Sequence, residues 1–227
     1  MREIVLDTET TGLDPKKGDK VVEIACIELI NHIPTGKGYQ AYINPMRDMP
    51  EGAFKVHGLT EEFLSDKPVF GEVVEEFLSF IEDSILLIHN AKFDINFLNH
   101  ELTLIGLKKL KFERVIDTLQ IAREKHPGSP NNLDALCRRY SVDNNKRDYH
   151  DARLDCELLA EVYMELIGGR QHGLLLDKET EEKTQITNVT RNKRIKELPT
   201  RLSSVDIEKH KLYIKSMHDK PLWNSYD

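Results

Sequence analysis

The 227-residue chain is long enough for one ordinary domain plus an appendage. No run approaches the roughly eighteen apolar residues of a membrane span and the start lacks a signal-peptide layout, so the expected location is the cytoplasm with no membrane partner. The formal net charge of −7 is uneven: residues 1–176 carry 21 basic against 30 acidic side chains, and the remainder 11 against 9. Such an acidic domain excludes a broad phosphate-neutralising surface for nucleic acid, but not action at a strand end where cations meet the phosphate.

Taken in order, the first element is the apolar run Ile4-Val5-Leu6, which leads into Asp7-Thr8-Glu9-Thr10-Thr11-Gly12. The period of two along a strand puts Asp7 and Glu9 on one face, in the row of Val5. Two adjacent carboxylates are either a solvated strand end or a pair neutralised by a cation. A turn over 12–20 precedes a second strand over 21–30; residues 31–34 interrupt it, and 39–43 alternates as a third. Short connections make the three antiparallel. Thr60 caps a short helix, and Val73, Val74, Phe77, Leu78 and Ile81 recur at helical spacing over 71–81.

Residues 84–88 form a short apolar run, as in a buried parallel strand. After His89-Asn90-Ala91 a helix carries Phe97, Leu98, Leu102 and Ile105 on one stripe, and Asp94 falls on it. A strand at 115–117, a helix to Lys125, a His126-Pro127-Gly128 stop and a helix over 132–140 follow. The last helix of the domain, 151–166, has Leu158, Leu159, Val162, Tyr163 and Leu166 on its stripe, with Asp155 one turn back. Three places therefore put an acid where a core-facing residue belongs. Gathered carboxylates without cysteine suit magnesium or manganese rather than a structural zinc. The cysteines Cys26, Cys137 and Cys156 are odd in number and widely spaced, and read as small buried residues.

Residues 177–200 are polar and read as a flexible linker. Ser203-Ser204-Val205-Asp206 looks like a helix start, followed by Ile207, His210, Ile214 and Met217 at 3-4-3 spacing and then Leu222, Trp223 and Tyr226. An apolar tail after a polar linker usually folds against a partner.

Asp7-Thr8-Glu9-Thr10-Thr11-Gly12-Leu13, His89-Asn90-Ala91-Lys92-Phe93-Asp94 and His150-Asp151-Ala152-Arg153-Leu154-Asp155 together resemble the three motifs of the DEDDh, or DnaQ-like, 3′–5′ exonucleases. The histidine five residues before the last aspartate matches this branch; in the tyrosine branch the equivalent position is four before, where Asp151 stands, so Tyr149 is no substitute. Val56-His57-Gly58, Lys67-Pro68, Asn132-Leu133-Asp134-Ala135-Leu136-Cys137, Asp143-Asn144 and Ala160-Glu161-Val162-Tyr163 resemble the branch that proofreads for bacterial DNA polymerase III. The resemblance covers residues 1 to about 170.

It implies an α/β, ribonuclease H-like fold: a mixed sheet of about five strands, the first three antiparallel, flanked by helices. The organisation is then an exonuclease domain over 1–176, the linker over 177–200 and a polymerase-binding tail over 201–227. The implied activity is two-metal hydrolysis of single-stranded or frayed DNA 3′ ends. Asp7, Glu9, Asp94 and Asp155 would hold two Mg²⁺ or Mn²⁺ ions, and His150 would be the general base. Asp7, Glu9, Thr10, Val56, His57, His89, Asn90, Phe93 and Asp155 would meet the terminal nucleotide. Plainer roles stay open for some: Phe93 as a core aromatic, His57 as organiser of its turn, Asn90 as a helix cap. Gln171, Leu174 and Leu176 resemble a short sliding-clamp motif, or are a chance match or a C-terminal extension of the preceding helix. Ile214, Met217, Leu222 and Trp223 would bind the polymerase alpha subunit, with a small accessory subunit as a further partner. The alternatives are an RNA-trimming DEDDh exonuclease and a mainly structural, polymerase-stabilising subunit.

Overall fold

The computed structural model describes residues 1–145, 149–168 and 203–216. The chain divides into two units, Met1–Leu174 and Leu175–Asp227. In the first, β1 (Arg2–Thr10), β2 (Val21–Ile30) and β3 (Ile33–Tyr42) pair antiparallel in succession. Helices α1 (Glu51–His57), α2 (Glu61–Ser65) and α3 (Phe70–Ile81) lead to β4 (Ile85–Ile88), then α4 (Ala91–Leu104) and β5 (Val115–Asp117). β4 adds to β1 in parallel and β5 to β4, giving the order β3-β2-β1-β4-β5. This is the mixed five-strand sheet that the resemblance implies.

Helices α5 (Thr118–Lys125), α6 (Leu133–Tyr140) and α7 (Ala152–Leu166) complete the unit. The sheet is covered on both faces, which is why β1 reads as a continuous apolar run. On one face Ile4, Leu6, Leu86 and Ile88 pack against Phe77 and Ile81 of α3 and Phe97 and Leu98 of α4. On the other, Val5, Ala25, Leu29 and Leu87 pack against Ala122, Leu136, Leu158, Leu159 and Val162. The three cysteines are buried thiols, as expected.

Two expectations are corrected. The interruption read at 31–34 is only Asn31-His32, whose positive φ values of 50° and 69° make the tight hairpin turn that suits twisted strands. β3 resumes at Ile33, and Pro34 is tolerated opposite Leu29 because β3 is an edge strand. Ile105 lies past the end of α4 and is exposed rather than on its buried stripe. The helix stops there because Gly106, with φ of 76°, supports a left-handed closure in which Leu107 N–H donates to Leu102 O at 2.8 Å and Gly106 N–H to Thr103 O at 3.1 Å.

In the second unit, α8 (Ser204–Ser216) begins at the expected start: Asp206 N–H donates to Ser203 Oγ at 3.2 Å, and Ser203 N–H donates to Asp206 Oδ2 at 3.2 Å. Ile214 lies on α8. The linker 177–200, the clamp-like Gln171, Leu174 and Leu176, and the tail residues Met217, Leu222 and Trp223 lie outside the described residues. Among the described residues no helix is long and apolar enough to cross a membrane.

Candidate active site

The carboxyl end of β1 supplies the first acids. Asp7 and Glu9 alternate with Thr8, as the strand period requires, and Thr8 turns to the face covered by α4. There its backbone N–H and its hydroxyl both donate to Asp94 Oδ1, at 3.1 and 2.7 Å. Asp94, 3% exposed, sits in the first turn of α4, where the helix field favours a carboxylate. The chain enters α4 through Asn90 in a left-handed conformation, φ 68°, held by its N–H donating to Asp117 Oδ1 at 3.1 Å. The Asn90 side chain makes no capping hydrogen bond, so the capping role is withdrawn; it lines the cleft instead.

α7 supplies the last motif. Asp151 caps it by accepting from Leu154 N–H at 2.8 Å, which sets Asp155, 4% exposed, one turn in. His150 Nδ1 lies 3.4 Å from Asp155 Oδ2. Glu9, His150 and Asp155 each offer a ligand atom, all within 4.8 Å of one another. His150 N–H donates to Val56 O at 2.9 Å, tying the last motif to the Val56-His57-Gly58 turn. Gly58 closes α1 at φ 71°, where a side chain would be strained and its Cβ would crowd the Tyr149 ring at 3.1 Å. Tyr149 thus packs on the turn rather than standing in for His150.

Glu23 was not singled out from the sequence, because it falls inside the apolar run of β2 and resembles an outward-facing strand residue. The register places it directly opposite Glu9, and it is 1% exposed. Its Oε1 accepts from Gln40 Nε2 at 2.7 Å and its Oε2 from Ala152 N–H at 3.4 Å. Glu23 therefore ties the first turn of α7 to β2, between His150 and Asp155.

Burial first, then the charges of Asp94, Glu9, Asp155 and Glu23, hold Asp7 well above the usual carboxylate range. Burial likewise pushes Asp94 up to about 7, against the hydrogen bonds from Thr8, and Glu23 up to about 7. Acids that raise one another's pKa in a buried cluster are the donor set that a divalent cation relieves, so these residues fit the expected metal. With no metal present, a raised folded pKa makes the folded state bind more protons than the unfolded one, so stability falls as pH rises from about 4 to 7. In chelator, Asp94→Asn is expected to gain on the parent across that window, by up to about 4 kcal/mol at pH 8. Thermal unfolding of both proteins at each pH checks this; a constant difference would refute it.

The acids open into a cleft of about 1250 Å³ that also receives Thr10, Val56, His57, His89, Asn90 and Phe93. Leu59 N–H donates to His57 Nδ1 at 3.0 Å, so the neutral ring carries its proton on Nε2. That Nε2 is buried, and burial lowers the pKa of the ring against an opposing contact with the Thr10 backbone. His57 thus both organises its turn and lines the cleft. Phe93 likewise does both, packing 4.9 Å from Phe97 at the core edge. His89 Nδ1 meets Thr118 Oγ1 at 2.9 Å, and the Thr10 hydroxyl donates to Gly12 O at 2.7 Å, closing the turn after β1. Leu13, which closes the first motif and was given no site role of its own, is 85% exposed on the cleft wall.

Residues 4–163 match the RNase_T family, described as an exonuclease. The chain is 49% identical over 222 residues to the DNA polymerase III subunit epsilon of Rickettsia felis, covering 96% of this chain and 97% of that protein. It is 40% identical over 235 residues to that of Buchnera aphidicola, covering 98% of each. Among solved structures, exonuclease X in complex with 5′ overhanging duplex DNA is 25% identical with a TM-score of 0.56, over 73% of this chain and 90% of that one. The nuclease domain of 3′hExo, a DEDDh family member bound to rAMP, shares the fold with a TM-score of 0.63 at 17% identity, over 73% of this chain and 91% of that one.

Proposed function

The chain belongs to the RNase_T exonuclease family, and on that ground we propose that it is a 3′–5′ exonuclease acting on DNA 3′ ends, the epsilon, proofreading subunit of a bacterial DNA polymerase III. The observation that carries this reading is the convergence of Glu9, His150 and Asp155, with Asp7 and Asp94 beside them, at the carboxyl end of β1.

Asp7, Glu9, Asp94 and Asp155 would hold two divalent cations, Mg²⁺ or Mn²⁺, which when bound supply charge neutralisation at the scissile phosphate and an acidified water. His150, at the open side of the cluster, takes the proton of the water that attacks phosphorus, and the Asp155 carboxylate stabilises the imidazolium so formed. The bond from phosphorus to the 3′ oxygen breaks. A nucleoside 5′-monophosphate leaves, and the shortened strand keeps a 3′ hydroxyl once its oxygen gains a proton. His57, Val56, Phe93, Thr10, His89 and Asn90 shape the pocket of the terminal nucleotide.

Residues 1–176 are the exonuclease domain, working in the cytoplasm. Past the linker at 177–200, the tail at 201–227 binds the polymerase alpha subunit through Ile214, Met217, Leu222 and Trp223. Gln171, Leu174 and Leu176 meet the sliding clamp, and a small accessory subunit binds the exonuclease domain. The test is a 5′-labelled single strand, as DNA and as RNA, incubated with Mg²⁺ or with chelator, using the full chain and a chain ended at residue 176. DNA should shorten from its 3′ end only with metal and with either chain, and only the full chain should co-purify with the polymerase. Preferential shortening of RNA would overturn the DNA assignment; retention of polymerase by the shortened chain would overturn the role of the tail.

A further inference from the structure

The cleft is larger than one nucleotide needs: its volume of about 1250 Å³ exceeds the roughly 300–1,000 Å³ of an ordinary small-ligand pocket. Beyond the acids it continues along Leu119 and Arg123 of α5 and the loop leading into α6. That wall is rigid. Asn131, in the loop, donates through Nδ2 to His126 O and Ser129 O at 3.2 and 2.9 Å and accepts from Arg139 at 3.2 Å.

Among the described residues lining the cleft, Arg123 is the one arginine or lysine, set against Asp7, Glu9, Asp94, Asp134 and Asp155. It is exposed and makes no ion pair among the described residues. Its charge reaches the cleft interior: His89, whose pKa burial lowers most, is lowered further by Arg123. A guanidinium left unpaired in an acidic cleft is poised for an anion that enters from outside. A planar fork of donors matches the two free oxygens of a phosphodiester.

We propose that Arg123 forms a second subsite, which binds a phosphodiester one or two linkages upstream of the scissile bond and so draws a strand of at least two nucleotides across the α5 side of the cleft. The proposal rests on the exonuclease reading above. It explains how a domain of net negative charge holds a polyanion: the acids take the scissile phosphate through cations, and one fixed positive charge takes the next phosphate. The plain alternative is that Arg123, in the last turn of α5, only offsets the carbonyl end of that helix.

The test measures hydrolysis of a single-stranded oligonucleotide by the full-length parent and by Arg123→Ala, over a range of salt. A neutral methylphosphonate is placed in turn at the first, second and third linkage upstream. Arg123→Ala should raise KM about tenfold, the size of one lost charge-assisted hydrogen bond, and reduce the slope of log KM against log salt by about 0.7. One methylphosphonate position should raise the parent's KM to the same degree and add nothing in the variant, and Arg123→Lys should recover part of the loss. An unchanged KM with a lowered Tm would assign Arg123 to the helix end and overturn the subsite, as would methylphosphonate effects that are equal in parent and variant. Hydrolysis of p-nitrophenyl thymidine 5′-monophosphate by the parent, which needs no upstream phosphate, reports the exonuclease reading separately; its absence would strike that reading instead.

Discussion

Replacing Asp7 by alanine is expected to abolish 3′-end trimming in Mg²⁺, with a loss of at least about 10³-fold, the upper range for removal of one preorganised electrostatic group. Burial and then four other carboxylates hold Asp7 well above the usual carboxylate range. It is thus an acid whose charge a bound cation would relieve. The same crowding predicts that the fold survives: losing Asp7 removes like-charge repulsion from Asp94, Glu9, Asp155 and Glu23, so the metal-free variant should unfold no earlier than the parent at pH 8. Asp7→Asn should behave alike while leaving no cavity. Activity assays in Mg²⁺ alongside thermal unfolding in chelator decide the matter. Trimming within a few-fold of the parent would remove Asp7 from the metal site, and a lowered Tm in both variants would make the loss of activity a folding effect.

His150→Ala is expected to lower turnover by about 10²–10⁴-fold, the contribution of a positioned proton transfer, while leaving Mn²⁺ affinity close to that of the parent. The imidazole is about half exposed and 3.4 Å from Asp155, which fits a base that reaches a water at the mouth of the cleft. Its ring also offers a ligand atom within 4.8 Å of those of Glu9 and Asp155, so a ligand role is a concrete competitor. Titration with Mn²⁺ separates the two, because a lost base leaves binding intact and a lost ligand weakens it. Imidazole added to the variant gives a second readout. The open position should let it restore part of the turnover, and failure of rescue with weakened Mn²⁺ binding would reassign His150 as a ligand.

Much of this molecule was legible from residue order. The periods of two and 3.6 located Asp7 and Glu9 on one strand face and Asp94 and Asp155 on helix stripes, because these spacings follow from backbone geometry that each segment carries with it. Caps were equally local: Thr60 and Ser203 bond to backbone three residues ahead. Even the two corrected elements turned on local rules, the left-handed pair Asn31-His32 and the glycine closure after α4. What could not be read was which distant residues meet. Glu23 looked like an ordinary strand residue until the β1–β2 register set it against Glu9 and the packing of α7 brought Ala152 to it. The grip of Thr8 on Asp94, the bond from His150 to Val56 and the place of Arg123 on the cleft wall are of the same kind. Each joins segments far apart in the chain, and each depends on how helices seat on a two-faced sheet. Local periodicity states which face of an element is buried, whereas the partner across that face is set by the packing of the whole core.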